Sequence, residues 1–258
     1  LSIWIGSLST RPRRSLRRGS PAGGAASAAA SAAEALVVGS SVTRETVPSR
    51  LMSDDIPIEA CTLRAEDGVE LEAECRMPGD PTGAVLLAHP HPLFGGSMRS
   101  FVTSELFRLL PAAGLAALRF NFRGVEGSGG THGGGRAEAL DVVAGIGALA
   151  ARSPEVPLVV AGWSFGADVS VSVIDERIAG WCLIAPPMRI LSPDELRGAQ
   201  DPRPKLLLVP EHDEFNPPDT AAERSSAWTN TTLEVVRGAD HYLAGRTALV
   251  AEAVQRFV

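Results

Sequence analysis

Ser164 is the residue whose neighbours best suit it to nucleophilic chemistry. It lies in Gly162-Trp163-Ser164-Phe165-Gly166, after the apolar run Leu158 to Ala161 and before a helical stretch. A chain that turns sharply from a strand into a helix needs small residues beside the turn, because side chains there would collide with the neighbouring elements. Such a turn exposes the serine next to a helix N-terminus, whose dipole favours developing negative charge. The pattern therefore predicts Ser164 as a nucleophile.

A serine hydroxyl is a poor nucleophile at its ordinary pKa and needs a histidine base. Two histidines follow Ser164 in the chain, His212 and His241. For a nucleophile at a strand-to-helix turn, the expected chain order is serine, acid, histidine. His241 follows the last strand-like segment, whereas His212 lies where the acid belongs. We therefore predict His241 as the base.

The acid that orients the base is predicted to be Asp213. It comes a few residues after the apolar run Leu206 to Val209 and before a helical stretch. Glu211 and Glu214 are the alternatives. Asp240 is adjacent to His241 and would point elsewhere on most backbones, so a structural role in the loop is expected for it.

These residues are predicted to stand on alternating strands and helices. Ile58 to Arg64 and Val69 to Arg76, joined at Asp67-Gly68, indicate an antiparallel hairpin, because Asp-Gly suits the positive φ angles of a tight turn. The further predicted strands are Ala84–Ala88, Leu115–Phe120, Leu158–Ala161, Ile178–Ala185, Leu206–Val209 and Thr232–Val236. The predicted helices are about Phe101–Ala113, Ala137–Ala151, Phe165–Ile174, Pro218–Trp228 and Leu243–Phe257. This order predicts an α/β fold, with a mostly parallel twisted sheet, helices on both faces and an N-terminal antiparallel hairpin.

The sequence from about Ile58 to Val258 resembles the alpha/beta-hydrolase superfamily. More narrowly, it is similar to the small lidless bacterial members with a His-Pro-His-Pro-x-x-Gly-Gly loop. Besides the Ser164 turn, the resemblance rests on His89 to Met98, Asn121 to Ser128, and the segments around Asp213 and His241. It implies the alpha/beta-hydrolase fold and a Ser/His/Asp triad. It says little about the substrate, since this fold hosts many chemistries.

The resemblance also implies an oxyanion hole built from two backbone N–H groups. One belongs to Phe165, directly after the nucleophile. If His91-Pro92-Leu93-Phe94-Gly95 corresponds to the His-Gly-x-x-Gly loop of esterases, the other belongs to Leu93. His89 and His91 are expected either near the substrate or as braces of this loop. Arg123, which supports loops near the site in the family, is expected behind the site.

Aromatic residues close in sequence to the catalytic positions are candidates for an acyl pocket, with ordinary core packing as the alternative for each. They are Phe94, Trp163, Phe165 and Phe215. Between Ala185 and Lys205 the 19 intervening residues are too few for a helical cap domain. An open site is therefore expected, which favours a soluble substrate of modest size over a long lipid.

No cofactor or metal is expected. The glycine-rich stretch Gly124 to Gly135 lacks the lysine of a phosphate-binding loop, and the chain's single lysine, Lys205, lies in a predicted strand. No dinucleotide-binding glycine pattern follows a strand, and His89 and His91 alone do not define a metal site. Three cysteines without a CxxC pair indicate neither a zinc site nor a disulfide framework, and favour a reducing compartment.

Charge divides the chain into two segments. Residues 1–51 carry seven arginines against two acidic residues, and 27 of the 51 are Ala, Ser, Gly or Pro, which predicts a disordered, low-complexity extension. Residues 52–258 carry 17 basic and 28 acidic residues and suit one hydrolase domain without a large cap. The acidic domain argues against a nucleic-acid partner. No stretch is long and apolar enough for a membrane span, and the oligomeric state is left open.

Three interpretations of residues 1–51 remain. The favoured one is that the natural product begins at Met52, which goes with a cytoplasmic location. Arg13-Arg14-Ser15-Leu16 before an Ala-rich run also resembles a twin-arginine export signal, and Arg11 to Arg18 could form a basic tail that binds an anionic partner.

The predicted function is a serine hydrolase that cleaves a carboxylic ester or thioester of a small to medium soluble substrate through an acyl-enzyme. An acyltransferase or peptidase could use the same triad, and a non-catalytic binding protein could share the fold. A serine at position 164 excludes an aspartate-nucleophile dehalogenase or epoxide hydrolase, and a dienelactone-hydrolase-like enzyme would be expected to carry cysteine there.

Overall fold

The computed structural model describes residues 56–258, and the predictions for residues 1–51 lie outside that part of the chain. Its strands are β1 Glu59–Arg64, β2 Glu70–Arg76, β3 Gly83–Ala88, β4 Leu115–Phe120, β5 Leu158–Trp163, β6 Ile178–Ile184, β7 Lys205–His212 and β8 Thr231–Asp240. Its α-helices are α1 Phe101–Ala112, α2 Glu138–Arg152, α3 Phe165–Ser172, α4 Pro218–Ser225 and α5 Thr247–Phe257. Short 3-10 helices lie at Pro92–Phe94, Pro193–Glu195 and Arg197–Gln200.

The strands form one sheet in the order β1-β2-β4-β3-β5-β6-β7-β8. β1 and β2 pair antiparallel, as do β2 and β4, and the remaining neighbours pair parallel. Gly68 has φ +87° in the turn between β1 and β2, as the Asp-Gly pair predicts. The predicted fold class is confirmed.

Helices cover both faces of the sheet. Along β3, Val85 and Leu87 pack with residues of α1 and α5, whereas Ala84, Leu86 and Ala88 pack with residues of α2 and α3. This alternation follows from the two-residue repeat of a strand, and both faces are apolar because both are buried. Within residues 56–258, no helix combines the length and apolar character needed to span a bilayer.

The element bounds differ from the prediction mainly at the C-terminal end. The last helix begins at Thr247 instead of Leu243, because Leu243 has φ +57°, which a right-handed helix cannot accommodate. β8 continues to Asp240, beyond the predicted end at Val236. As a result, His241 directly follows the carboxyl end of β8. Asp213 and Ser164 likewise directly follow β7 and β5, so the three residues meet at one edge of the sheet.

Candidate active site

Ser164 forms a strained turn between β5 and α3, with φ +54° and ψ −118°. A non-glycine residue in this region of backbone space costs on the order of 1–3 kcal/mol and must be held by its surroundings. The Ser164 N–H donates to Ile184 O at 2.9 Å, and the Ala167 N–H donates to Ser164 O at 2.8 Å. A Cβ atom on Gly162 would lie 2.2 Å from Gly166 O, and one on Gly166 would lie 2.4 Å from Ala88 O. The two glycines therefore permit the close approach that the sequence pattern predicts.

Gly166→Ala is expected to destabilise the protein by about 3 kcal/mol, because the added methyl group meets backbone atoms that cannot move aside. Urea denaturation followed by circular dichroism measures the free energy of unfolding. Gly79→Ala is the matched control, since a Cβ atom at Gly79 meets nothing within 4 Å. Equal stability of the two variants would contradict the packing described for the turn.

Ser164, His241 and Asp213 form a continuous chain of contacts. His241 Nε2 lies 3.0 Å from Ser164 Oγ, and His241 Nδ1 lies 2.9 Å from Asp213 Oδ2. Asp213 Oδ1 accepts the N–H groups of Phe215 at 2.8 Å and Asn216 at 3.1 Å, which leaves Oδ2 to the histidine. Asp213 and His241 are buried, whereas Ser164 is half-buried. The arrangement can move a proton from Ser164 Oγ to His241 Nε2 while the carboxylate stabilises the resulting imidazolium.

The alternative acids lie elsewhere. Glu211 accepts the Gly238 N–H at 2.7 Å, and Glu214 is exposed. Asp240 is also exposed and accepts the Tyr242 N–H at 3.1 Å, as expected for a structural role in the loop. Among residues 56–258, the carboxylate within hydrogen-bond distance of the His241 ring is that of Asp213.

The expectation that Leu93 supplies an oxyanion donor is not met by the structure. Leu93 lies in the 3-10 helix Pro92–Phe94 with its side chain exposed, and its N–H donates to His91 Nδ1 at 3.3 Å. The turn folds back on His91, whose carbonyl accepts the N–H groups of Phe94 and Gly96. Within residues 56–258, the His91 N–H itself has no acceptor, and neither has that of Phe165 at the start of α3. His91 lines the same cavity as Ser164, and Phe165 directly follows Ser164 in the chain.

A family model described as an alpha/beta hydrolase domain matches residues 81–255. The chain belongs to the alpha/beta-hydrolase family. An uncharacterized protein of Rickettsia prowazekii is 28% identical over 196 residues, which are 72% of this chain and 82% of the relative. A solved alpha-beta serine hydrolase homologue from Coxiella burnetii is 28% identical with a TM-score of 0.70, covering 78% of this chain and 97% of that one. A serine hydrolase without lid from Xanthomonas campestris is 26% identical with a TM-score of 0.68. The match covers 77% of this chain and 92% of that one.

In this alpha/beta hydrolase, His89 braces the loop after β3. Its Nε2 accepts the Phe122 N–H at 3.0 Å, and its Nδ1 lies 2.6 Å from Pro90 O. The accepting Nε2 requires a neutral ring, with the proton on Nδ1 donated to the carbonyl. Burial favours that neutral form by lowering the pKa of His89 to about 4. His89 is therefore structural, whereas the His91 ring packs 4.8 Å from the Phe165 ring, between centroids.

Arg123 makes two ion pairs in the hydrolase. Its guanidinium contacts Asp141 at 2.7 Å and Asp67 at 2.7 Å, and its N–H donates to Asp141 Oδ2 at 2.9 Å. Burial alone would lower the pKa of Arg123. The pKa is nevertheless raised, because both carboxylates stabilise the charged form. Arg123 thus ties the loop after β4 to α2 and to the β1-β2 turn.

A cavity of about 470 Å³ opens beside Ser164. Phe94, Trp163 and Phe215 line it, whereas Phe165, His89 and Arg123 do not. The full set of lining residues is Pro90, His91, Phe94, Gly95, Gly96, Ser100, Phe101, Trp163, Ser164, Pro187, Arg189, Ile190, Phe215, His241 and Tyr242. The volume falls in the range of about 300–1,000 Å³ typical of small-molecule sites.

Sequence reasoning missed the residues that shape one wall of this cavity. Asp168, buried in α3, accepts the N–H groups of Met188, Arg189 and Ile190, each at 2.9 Å. Burial raises the pKa of Asp168 to about 6, while the three N–H groups lower it. Asn216 Nδ2 donates to Pro186 O at 2.8 Å. A single charged residue in the otherwise uncharged helix α3 was the available signal for Asp168.

The part of the hydrolase that the structure describes holds no group of three or more His, Cys, Asp or Glu side chains arranged for a metal ion.

Proposed function

We propose that this protein is a serine hydrolase that cleaves carboxylic esters or thioesters of small to medium soluble molecules through an acyl-enzyme. The observation that carries the proposal is the contact chain from Ser164 Oγ through His241 to Asp213, at 3.0 Å and 2.9 Å. Proton transfer needs heavy atoms within hydrogen-bond distance, about 2.6–3.2 Å, and both contacts meet this requirement. Membership in the alpha/beta-hydrolase family and the strained turn at Ser164 support it.

In the proposed reaction, Ser164 Oγ attacks the carbonyl carbon while His241 Nε2 takes its proton. The tetrahedral intermediate then collapses, and the imidazolium returns the proton to the leaving alkoxide or thiolate. A water molecule, deprotonated by His241, attacks the acyl-enzyme and releases the carboxylic acid and Ser164. Asp213 holds the imidazole with its proton on Nδ1 and stabilises the imidazolium.

The N–H groups of His91 and Phe165 are the proposed oxyanion donors, with His91 replacing Leu93. Both are free of acceptors within residues 56–258, and His91 lines the cavity with Ser164. Phe165 adds the N-terminal end of α3, where the helix dipole favours negative charge. Preorganised donors of this kind stabilise the intermediate without reorganising during the reaction.

Residues 52–258 are proposed to act as one hydrolase domain without a large cap. Between β6 and β7 the structure has two 3-10 helices, Pro193–Glu195 and Arg197–Gln200, and no longer helix. The Xanthomonas campestris relative is described as lacking a lid, which supports an open site. We propose a cytoplasmic location, supported by three free cysteines in residues 56–258. Cell fractionation would contradict this location if the protein were found outside the cytoplasm.

A panel of 4-nitrophenyl esters of increasing acyl length tests the reaction. We expect turnover of short and medium acyl chains, with an initial burst of one nitrophenol per enzyme wherever deacylation is slower than acylation. A preference for acyl chains beyond about ten carbons would contradict the open, modest cavity. The absence of turnover across the panel would favour the non-catalytic binding protein. Faster nitrophenol release on adding an alcohol or amine acceptor, with matching transfer product, would favour an acyltransferase.

A further inference from the structure

Arg189 gives the cavity beside Ser164 a positive charge. Among the described residues that line this cavity, Arg189 is the single lysine or arginine, and no lining residue is an aspartate or glutamate. Arg189 follows β6 by a few residues, so it stands at the same edge of the sheet as Ser164 and His241. The remaining lining is mainly apolar or aromatic. Arg189 is exposed, so its guanidinium is accessible to a ligand that enters the cavity.

The Arg189 guanidinium makes no ion pair within residues 56–258, although most arginines there do. Arg136, Arg177 and Arg203, for example, each contact a carboxylate. The guanidinium carbon of Arg189 instead lies 5.4 Å from the centroid of the Phe215 ring. That ring in turn lies 4.5 Å from the His241 ring. The guanidinium is therefore one aromatic ring away from the proposed base, with its donors left for a ligand.

The backbone that carries Arg189 is fixed in place. The Arg189 N–H donates to Asp168 Oδ2 at 2.9 Å, and the N–H groups on either side, of Met188 and Ile190, donate to the same carboxylate. Arg224 Nη1 donates to Pro187 O at 2.9 Å. Asp168 is buried and accepts hydrogen bonds from main-chain N–H groups, so its carboxylate does not neutralise the Arg189 side chain. A fixed backbone lowers the entropic cost of holding a ligand at the side chain.

We propose that Arg189 binds a carboxylate of the substrate, so that the preferred substrates are esters or thioesters that carry a second, ionised acid group. This inference rests on the proposed function of the site. The planar guanidinium presents paired N–H donors that match the two oxygens of a carboxylate. Phe215 holds the guanidinium by a cation–π contact, and the apolar walls receive the chain between the carboxylate and the scissile bond.

The test compares charged and neutral substrates of matched shape. On the acyl side, the 4-nitrophenyl monoester of adipate is compared with 4-nitrophenyl hexanoate, because both acyl chains have six carbons. On the alcohol side, 4-acetoxybenzoate is compared with 4-acetoxybenzamide. kcat/KM is measured for the wild type, Arg189→Gln and Arg189→Glu. Arg64→Gln is the control, since Arg64 is an exposed arginine on β1 outside the cavity.

In at least one arm, Arg189→Gln is expected to lower kcat/KM for the anionic ester by about tenfold, with the neutral ester changed little. Arg189→Glu should lower it further through like-charge repulsion, and Arg64→Gln should leave both esters unchanged. The preference of the wild type for the anionic ester over the neutral one should shrink at 1 M salt, where charge interactions are screened beyond about 3 Å. An anionic-to-neutral ratio that is unaffected by Arg189→Gln in both arms would overturn the inference while leaving the hydrolase proposal intact.

Binding to Ser164→Ala separates this inference from the proposed reaction. Calorimetry of monomethyl adipate and methyl hexanoate is carried out on Ser164→Ala with and without Arg189→Gln. Adding Arg189→Gln is expected to raise the Kd of monomethyl adipate by about tenfold and to leave that of methyl hexanoate unchanged. Equal changes for both ligands, or binding of neither, would overturn the carboxylate site. An inactive wild type that shows the expected binding would instead overturn the proposed reaction.

Discussion

Ser164→Ala is expected to lower kcat for a short 4-nitrophenyl ester by about a million-fold, because members of a triad act as one unit and no other group can accept the acyl chain. The proposed oxyanion donors and the cavity remain in this variant, so a residual acceleration of about 10³–10⁴-fold over water should persist. Steady-state and single-turnover kinetics measure the loss.

Ser170→Ala is the matched control for this substitution. Ser170 lies in the same helix, α3, and its buried hydroxyl has no hydrogen-bond partner within residues 56–258. Removing an unsatisfied hydroxyl is nearly neutral for stability, and Ser170 does not line the cavity. Its activity should therefore match that of the wild type. A Ser164→Ala enzyme that keeps a tenth of the wild-type kcat, with an unchanged circular dichroism spectrum, would contradict the nucleophile.

Asp213→Asn is expected to lower kcat by about 10⁴-fold, because it would favour the wrong tautomer of His241. In the wild type, Asp213 Oδ1 accepts the N–H groups of Phe215 and Asn216, and Oδ2 faces His241 Nδ1. An asparagine would keep its carbonyl oxygen on those two N–H groups and turn its NH₂ group toward Nδ1. His241 would then accept at Nδ1 and carry its proton on Nε2, where it could not take the proton of Ser164.

Asp240→Asn provides the control for the acid. Asp240 is adjacent to His241 in sequence, yet its carboxylate is exposed and accepts the Tyr242 N–H. The same change of charge there should alter kcat by less than about threefold, in keeping with a screened surface charge. A larger loss for Asp240→Asn than for Asp213→Asn would show that the wrong carboxylate has been assigned. Folding of both variants is checked by thermal denaturation.

Local sequence patterns predict much of the fold and the centre of the site. Glycines at 162 and 166 are needed wherever a strand turns this sharply into a helix, so the turn at Ser164 can be recognised without tertiary information. Continuous apolar runs likewise predict the parallel strands, since both faces of the sheet are covered. His241 and Asp213 follow from chain order and from the position of the strand ends.

Features that depend on one dihedral angle or one tertiary contact could not be predicted in this way. The sequence predicts the Leu93 N–H as an oxyanion donor, but the 3-10 turn directs that N–H to the His91 ring. The His91 N–H is instead left without an acceptor within residues 56–258. The helix expected from Leu243 starts later because that residue adopts φ +57°. Arg189 enters the cavity wall because Asp168, 21 residues earlier, binds its backbone. No short-range pattern encodes such a contact.

Labelling with a fluorophosphonate, followed by peptide mass spectrometry, tests the central claim most directly. The probe reacts with a serine that is activated by a neighbouring base, independently of the natural substrate. We expect one phosphonyl adduct per wild-type chain, located at Ser164 within the tryptic peptide from Ser153 to Arg177, and none in Ser164→Ala. Labelling of folded wild-type protein at another residue, equal labelling of Ser164→Ala, or no labelling at all would contradict the account.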